Sequence, residues 1–421
     1  MKKLLSMILV AAMSLSILTG CGGNDGDGGT TGTGTNDGST TDAGTDDGST
    51  TDAGTNDGST SNAGSVSGSW KIGGIGPTTG GASVYGIAVQ NGIQIAVDEI
   101  NAEGGINGVQ IEYKFEDDEH NEEKGVNAYN ALKDWGMDIL IGNVTSAPCV
   151  AVAAESAKDN MFQLTPSASS PDCAKNDNVF QVCFSDPNQG IGSAQYIGGN
   201  ALASKIAVIY NSSDVYSSGI YERFKSEAAN QSFEIVAETS FTDDSNSDFT
   251  VQLQRAKDAG AELVFLPIYA KEAALVLTQA DAMDYHPLFF GCDGLDGVLA
   301  IEGFDTSLAE GVVLLTPFVA DAEDEKTQAF VSTYVERYGE IPNQFAADAY
   351  DAVYVIKEAI ENSGATPEDS VSDICDKLSV AMTQIKLDGL TGSDMTWAAT
   401  GEVSKDPRAM VIENGVYTEF R

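Results

Sequence analysis

The segment from Ile139 to Pro171 constrains the fold of this chain more than any other. Short apolar runs and polar turns surround one helical stretch, in the order strand, loop, helix, strand, loop. Two parallel strands that flank one helix leave both loops at the carboxyl edge of a sheet, where open α/β sheets bind ligands. We therefore expect the loops at 143–146 and 165–171 to face one binding site.

These two loops carry groups suited to an anion. The first loop ends in Thr145 and Ser146, which are good N-cap residues, and the second supplies the hydroxyls of Ser167, Ser169 and Ser170. Backbone N–H groups at the start of a helix attract negative charge, and a carboxylate fits them. A capped helix followed by a serine-rich turn explains the same residues, so the loops alone do not decide the function.

The first 69 residues predict export and tethering. A basic start precedes an apolar run of signal-peptide length, which ends in Leu18-Thr-Gly-Cys21 and resembles the lipobox of bacterial lipoproteins. This resemblance implies cleavage after residue 20 and acylation of Cys21. Residues 21–69 contain a ten-residue repeat too polar to form a core. We expect a signal peptide over 1–20, a flexible tether over 21–69, and a lipid-anchored protein on the outer face of the membrane.

Charge and cysteine content exclude several classes of protein. The net charge is −41, and no cluster of Lys and Arg interrupts it, so the chain is not expected to bind nucleic acid. There is no CxxC pair and only two histidines, so neither a metal site nor a cofactor is predicted. Besides Cys21 the chain has five cysteines: Cys149, Cys173, Cys183, Cys292 and Cys375. The sequence does not determine which of them pair, and a disulfide between Cys149 and Cys173 across the two loops is one open possibility.

From Trp70 onward, apolar strands alternate with amphipathic helices. This alternation predicts an α/β fold with two doubly wound, parallel-sheet lobes. A first crossing between the lobes is expected near Asp186. Late in the chain, 395–397, 410–413 and 416–420 are predicted as short strands.

The chain lacks the motifs of an enzyme and offers those of a binding site. No Gly-x-Ser-x-Gly, His-Glu-x-x-His or phosphate-binding loop occurs, so no catalytic residue is predicted. Asp293 follows a predicted strand of the second lobe, where its carboxylate would pair with an ammonium group, although an Asp-Gly turn explains it equally well. Tyr85, Tyr216 and Tyr269 lie near helix starts, where they either enclose an apolar side chain or pack as core.

Several motifs together resemble one family. They are Gly76-Pro-Thr-Thr-Gly80, Ala96-Val-Asp-Glu-Ile-Asn-Ala-Glu-Gly-Gly-Ile-Asn-Gly108, Thr165-Pro-Ser-Ala-Ser-Ser-Pro171 and Ala347-Asp-Ala-Tyr-Asp-Ala-Val353. Residues 70–421 resemble the type I periplasmic binding proteins of the branched-chain amino-acid (Leu/Ile/Val-binding) family, which feed ABC importers.

The resemblance implies a role for each candidate residue. Ser146 and the segment Ser167-Ala168-Ser169 match positions that bind the α-carboxylate of the ligand. Asp293 matches the acid that receives the α-ammonium group, although the family often has the longer glutamate there. The aromatic residues of the pocket are matched by Tyr85, Tyr216 and Tyr269.

The resemblance also implies an architecture and partners. A three-stranded hinge would join an N-terminal lobe, 70–186 plus 318–387, to a C-terminal lobe, 187–317 plus 388–421. The expected partners are a small aliphatic amino acid, the permease subunits of an ABC importer, and the membrane through Cys21, with the protein itself a monomer. Two alternatives stay open: a ligand sensor that reports to a signalling partner, and a secreted hydrolase that uses a pair of carboxylates.

Overall fold

The computed structural model describes residues 68–420. The predicted signal peptide, Cys21 and almost all of the predicted tether therefore lie outside the described residues. Within 68–420, no helix is long and apolar enough to cross a membrane.

Five parallel strands form the first sheet. In chain order they are β1 (Trp70–Gly76), β2 (Ile111–Asp117), β3 (Ile139–Gly142), β4 (Gln163–Thr165) and β5 (Val179–Gln181). Their spatial order is β2-β1-β3-β4-β5, an order of doubly wound folds in which ligands bind where the direction of winding reverses. That reversal lies between β1 and β3.

Seven strands form the second sheet. They are β6 (Lys205–Asn211), β7 (Glu234–Phe241), β8 (Leu263–Leu266), β9 (Leu288–Gly291), β10 (Val313–Thr316), β11 (Arg408–Glu413) and β12 (Val416–Glu419). The spatial order β12-β11-β10-β9-β8-β6-β7 repeats the winding of the first sheet, with the reversal between β6 and β8. β11 and β12 run antiparallel to their neighbours, so this sheet is mixed rather than purely parallel as predicted. An antiparallel edge of this kind is common on doubly wound sheets.

Ten α-helices accompany these strands in the described part of the chain. They are α1 (Ser83–Ala102), α2 (Glu122–Trp135), α3 (Ser146–Asp159), α4 (Asp186–Gly199), α5 (Val215–Ala228), α6 (Thr250–Asp258), α7 (Ala270–Ala282), α8 (Glu325–Tyr338), α9 (Gln344–Ser363) and α10 (Val371–Met382). α1 and α9 approach so closely that a Cβ atom at Gly92 would lie 2.1 Å from the Ala346 carbonyl oxygen. Only glycine fits this crossing.

The segment between α10 and β11 lies against the first sheet. The backbone N–H of Gln181 in β5 donates to Gly401 O at 2.9 Å, and the Trp397 indole donates to Gln181 O at 2.9 Å. The predicted strand at 395–397 is wrong, because this region forms only isolated bridges, Leu387 with Met395 and Trp397 with Val403. The segment completes the edge of the sheet without forming a regular strand.

A buried ion pair anchors the end of this segment. Lys405 Nζ lies 2.6 Å from Asp348 Oδ1 on α9, and it also donates to Thr391 Oγ1 at 2.6 Å. On the same helix, Asp351 accepts the backbone N–H groups of Leu390 and Thr391 at 2.8 and 2.9 Å. The two buried acids of α9 therefore fix residues 390–405 in place.

Candidate functional site

The two loops of the opening segment meet at one edge of the first sheet, as the sequence predicts. β3 and β4 pair in parallel, with Leu140 opposite Gln163, so both strands end on the same side. The Ser167 hydroxyl donates to Val144 O at 2.6 Å and the Thr165 hydroxyl donates to Asn143 O at 2.8 Å. These bonds join the loops into one rigid surface.

Gln181 supports the serine-rich loop from behind. Its side-chain amide donates to Ala168 O at 2.8 Å and to Ser170 O at 3.2 Å. The side chain of Ala168 is buried and packs against Cys149 and Cys173, both of which are free thiols in the structure, as are the other three described cysteines. Ala168 therefore lies in the loop but not on its open surface.

Seven of the eight predicted ligand-binding residues line a single small cavity. These are Tyr85, Ser146, Ser167, Ser169, Tyr216, Tyr269 and Asp293, and the exception is Ala168. Four further residues complete the lining: Val144, Thr145, Gly294 and Phe345. The cavity measures about 10 Å³, which is room for roughly one water molecule. An amino acid is several times larger, so the walls must separate to admit one.

The winding of both sheets explains why these residues meet. Tyr85 and Ser146 follow β1 and β3, which flank the reversal of the first sheet. Tyr216 and Tyr269 follow β6 and β8, which flank the reversal of the second sheet. The two carboxyl edges face each other across the cavity, so each sheet contributes its usual ligand-binding point.

Asp293 forms the acidic wall of the cavity. Its carboxylate accepts hydrogen bonds from the Tyr216 hydroxyl at 2.7 Å and from the Gln189 side-chain amide at 2.9 Å. Burial raises the pKa of Asp293 to about 7, although both hydrogen bonds oppose this shift. No Lys or Arg among residues 68–420 forms an ion pair with this acid. A cationic group of a ligand would stabilise its charged form.

Aromatic rings enclose the rest of the cavity. Tyr216 and Tyr269 stack with ring centroids 4.8 Å apart, and Tyr85 contacts the Phe345 ring edge-on at 4.7 Å. The His120 ring contacts Tyr269 at 5.4 Å, and its Nδ1 atom lies 2.9 Å from the Thr145 hydroxyl. Rings of this kind form an apolar wall that suits an aliphatic side chain.

Direct hydrogen bonds hold the two sides of the cavity together. Tyr85 on α1 donates its hydroxyl to Gly294 O at 2.6 Å and accepts the backbone N–H of Ala270 at 2.7 Å. Gln344, the first residue of α9, donates its side-chain amide to Asp293 O at 3.0 Å and its backbone N–H to Asp296 at 2.8 Å. All four bonds must break before the cavity can open.

Sequence reasoning missed several of the residues that shape this site. Gln189 and Gln344 contact Asp293 from about 104 and 51 positions away along the chain, and no local pattern marks either contact. Phe345 is the second residue of α9, a position where an aromatic residue has no special signature. Residues 68–420 hold no cluster of three or more acids, cysteines or histidines suited to a metal ion.

Comparison with known proteins assigns the chain to a family. The family model described as periplasmic binding protein matches residues 69–415. The chain therefore belongs to the periplasmic binding protein family, which confirms the resemblance seen in the sequence and the α/β fold class. Membership in a family of binding proteins also confirms that the chain is not an enzyme, which removes the hydrolase alternative.

Relatives of known name come from several bacteria. A Leu/Ile/Val-binding protein homologue of Brucella melitensis is 31% identical over 302 residues, covering 70% of this chain and 80% of the relative. A leucine-, isoleucine-, valine-, threonine- and alanine-binding protein of Pseudomonas aeruginosa is 26% identical, covering 72% and 81%. The crystal structure of a branched-chain amino acid transporter substrate-binding protein from Streptococcus pneumoniae, in complex with isoleucine, matches with a TM-score of 0.76. It is 28% identical and covers 83% of this chain and 98% of that one.

Proposed function

We propose that this chain is an exported lipoprotein that captures an aliphatic, branched-chain amino acid and delivers it to an ABC importer. The observation that carries the proposal is the pairing of opposite chemistries across one cavity. Asp293 offers an acid for the α-ammonium group, and Ser146 at the start of α3 offers donors for the α-carboxylate. A site that desolvates both groups favours a zwitterion over a singly charged molecule.

The aromatic wall of the cavity determines which class of ligand side chain is favoured. Tyr85, Tyr269 and Phe345 present ring surfaces, and Val144 adds an aliphatic one. An apolar ligand side chain gains by displacing water from these surfaces, whereas a charged side chain would lose its hydration without a partner. The names of the relatives, which include leucine, isoleucine and valine, agree with this expectation.

Ligand entry requires two lobes that open about a hinge. We place the N-terminal lobe around the first sheet and the C-terminal lobe around the second. The lobe boundaries expected from the sequence imply three crossings, near Asp186, Thr316 and Leu387. We propose to keep the first two and to move the third to about residues 405–408, because the segment up to Lys405 is bonded to α9 and β5.

Titration calorimetry tests the binding proposal. The purified chain is unfolded and refolded to remove carried-over ligand, and is then titrated with each common amino acid. We expect saturable one-to-one binding of leucine, isoleucine or valine, and loss of that binding in Asp293→Ala. Asp138→Ala is the control, because this acid precedes β3 at the opposite edge of the sheet and bonds to the backbone of Lys71. No heat with any amino acid would refute the proposal.

The lipid anchor and the importer need their own tests. Cells that express the chain are labelled with radioactive palmitate, and we expect label in the wild-type protein but not in Cys21→Ser. Delivery is tested by uptake of labelled leucine into cells that carry the chain and its permease. Uptake that is unaffected by deletion of the chain would refute delivery while leaving amino-acid binding intact.

A further inference from the structure

Two buried cysteines lie directly behind the loops that form the serine-rich side of the cavity. Cys149 is in the first turn of α3, and Cys173 follows the serine-rich loop at 165–171. Both are 0% exposed, and both pack against Ala168 in that loop. One thiol of the pair is therefore attached to each of the two segments that carry the serines of the cavity.

The two thiols are neighbours. Cys173 Sγ lies 3.7 Å from Ser146 O, and Ser146 lies one turn before Cys149 on α3, so this contact brings Cys173 to the same turn of the helix. Burial raises the pKa of the Cys173 thiol well above its usual range, and a hydrogen bond between the side chains of Cys173 and Cys149 raises this pKa further. The thiols are thus placed against each other inside the first lobe.

The other three described cysteines have different neighbours. Cys292 Sγ lies 3.6 Å from the Ser193 hydroxyl, and Cys375 Sγ lies 3.9 Å from the Ser379 hydroxyl. Cys183 influences the pKa of Cys173 less than Cys149 does. A disulfide requires two sulfur atoms that already lie next to each other, and among residues 68–420 this contact is found for Cys149 and Cys173.

We propose that Cys149 and Cys173 form a disulfide in the exported protein, and that this bond locks the serine-rich loop to the start of α3. The proposal rests on the export and the amino-acid binding proposed above. Disulfides form and persist in the oxidising environment outside the cytoplasm. Buried thiols also occur as small apolar side chains, and that alternative predicts that both cysteines stay reduced.

The bond forms by exchange with the disulfide of an external oxidant, either a small disulfide molecule or a thiol–disulfide oxidoreductase. One cysteine thiolate attacks the oxidant and releases a first thiol, and the second cysteine thiolate attacks the mixed disulfide and releases another. The two cysteines are oxidised, and the oxidant is reduced to two thiols that carry the two protons. Burial disfavours a thiolate in the folded protein, so the exchange takes place while the chain folds.

The cross-link acts on the ligand site without contacting the ligand. Thr145 and Ser146 line the cavity from one segment, and Ser167 and Ser169 line it from the other. In the reduced protein these segments are joined by hydrogen bonds, among them that from the backbone N–H of Ser170 to Ser146 Oγ at 3.3 Å. A covalent bond holds the hydroxyls in place before the ligand arrives, and preorganisation of this kind increases affinity.

Peptide mapping of the full chain detects the bond. The lipoprotein is purified from bacterial membranes without reductant, its free thiols are blocked with iodoacetamide, and it is digested with trypsin. Lys158 separates the two cysteines, so the disulfide joins the peptides 134–158 and 159–175. We expect this linked pair in the wild type and its separation after reduction. Recovery of both peptides unlinked and alkylated, or linkage of either one to another cysteine, would overturn the inference.

Reduction tests what the bond does. Refolding with a reductant is expected to lower the melting temperature of the ligand-free wild type by at least about 3 °C and to weaken leucine binding about 2- to 10-fold in calorimetry. Cys173→Ala is expected to match the reduced wild type in both measurements and not to respond to reductant. Cys375→Ala is the matched control, because this buried thiol lies on α10, and it is expected to keep the wild-type response.

The outcomes separate this inference from the proposed function. Leucine affinities of the oxidised and the reduced wild type within twofold of each other would overturn the locking role. A response of Cys173→Ala to reductant as large as that of the wild type would assign the effect to other cysteines and overturn the inference. Silence of the wild type towards every amino acid would refute the proposed function, whereas the linked peptides would still establish the bond.

Discussion

Replacing Lys405 by methionine is expected to destabilise the protein strongly. The side chain of Lys405 is 0% exposed and that of Asp348 is 2% exposed, with 2.6 Å between Nζ and Oδ1. Burial raises the pKa of Asp348 even though Lys405 lies beside it and opposes the shift. Without Lys405 the carboxylate is buried and uncompensated, which costs about 3–5 kcal/mol.

Denaturant unfolding followed by circular dichroism measures this loss. Folded proteins of ordinary stability have about 5–15 kcal/mol in total, so Lys405→Met is expected to lower the unfolding midpoint markedly at pH 8. The loss is expected to shrink as the pH falls, because Asp348 then becomes neutral by taking up a proton.

Two companion variants make the test specific. The double variant Lys405→Met with Asp348→Leu removes both charges and is expected to recover most of the stability. Lys386→Met is the matched control, because its partner Asp394 lies on the surface and the two side chains are 58% and 68% exposed. Such a pair contributes less than about 1 kcal/mol. Equal effects of the buried and the exposed substitution would refute the reasoning.

Three further predictions concern the site and the helices. Because the pKa of ligand-free Asp293 is about 7, leucine affinity measured by calorimetry is expected to fall by up to about tenfold per unit below pH 7; a flat profile would contradict this. Burial also raises the pKa of Asp296 to about 7 in the folded protein, against about 4 in the unfolded chain. Between these values the folded state binds a proton that the unfolded state does not, so the stability that this group contributes falls as the pH rises from about 4 to about 7. Asp296→Asn is therefore expected to raise the free energy of unfolding at pH 8 by at most about 4 kcal/mol, and not at pH 4; equal effects at both pH values would refute it. Gly92→Ala, which directs a Cβ atom at Ala346 O, is expected to cost about 1–3 kcal/mol in denaturant unfolding, whereas Gly199→Ala, with open space around it, is expected to be nearly neutral.

Much of the first sheet follows from local sequence patterns. The strand–loop–helix–strand segment at 139–171 was predicted from its apolar runs and N-cap residues, and the parallel pairing of β3 with β4 confirms it. The loops at the ends of these strands follow from the same pattern, because parallel strands bring their carboxyl ends to one edge. The positions of Ser146, Ser167 and Ser169 at this edge could therefore be predicted without knowledge of distant parts of the chain.

Helix α4 shows where local patterns fail. Its 14 residues include Gly190, Gly192, Gly198 and Gly199, and so many glycines disfavour a helix in isolation. The glycines are used for packing, since a Cβ atom at Gly190 would lie 2.5 Å from Ile220 O on α5. Tertiary contact therefore overrides the intrinsic preference, and nothing nearby in the sequence signals it.

The environment of Asp293, the acidic wall of the cavity, could not be predicted from local sequence for a related reason. Asp293 reads as an Asp-Gly turn by itself, and the structure does begin a short 3₁₀ helix there. Its environment comes from Gln189, Tyr216 and Gln344, which lie on three different helices. Burial and pairing of this acid thus depend on the meeting of two sheets, which no single segment encodes.

The most direct test of the central claim is whether the site requires both charges of a zwitterion. Leucine, isocaproate and isoamylamine share one apolar side chain, and the last two lack the amino group and the carboxylate respectively. In calorimetric titration of the refolded chain, we expect saturable leucine binding and at least about 100-fold weaker binding of either analogue, because each leaves buried polar groups unpaired. Isocaproate or isoamylamine binding as tightly as leucine, or no leucine binding at all, would contradict the account.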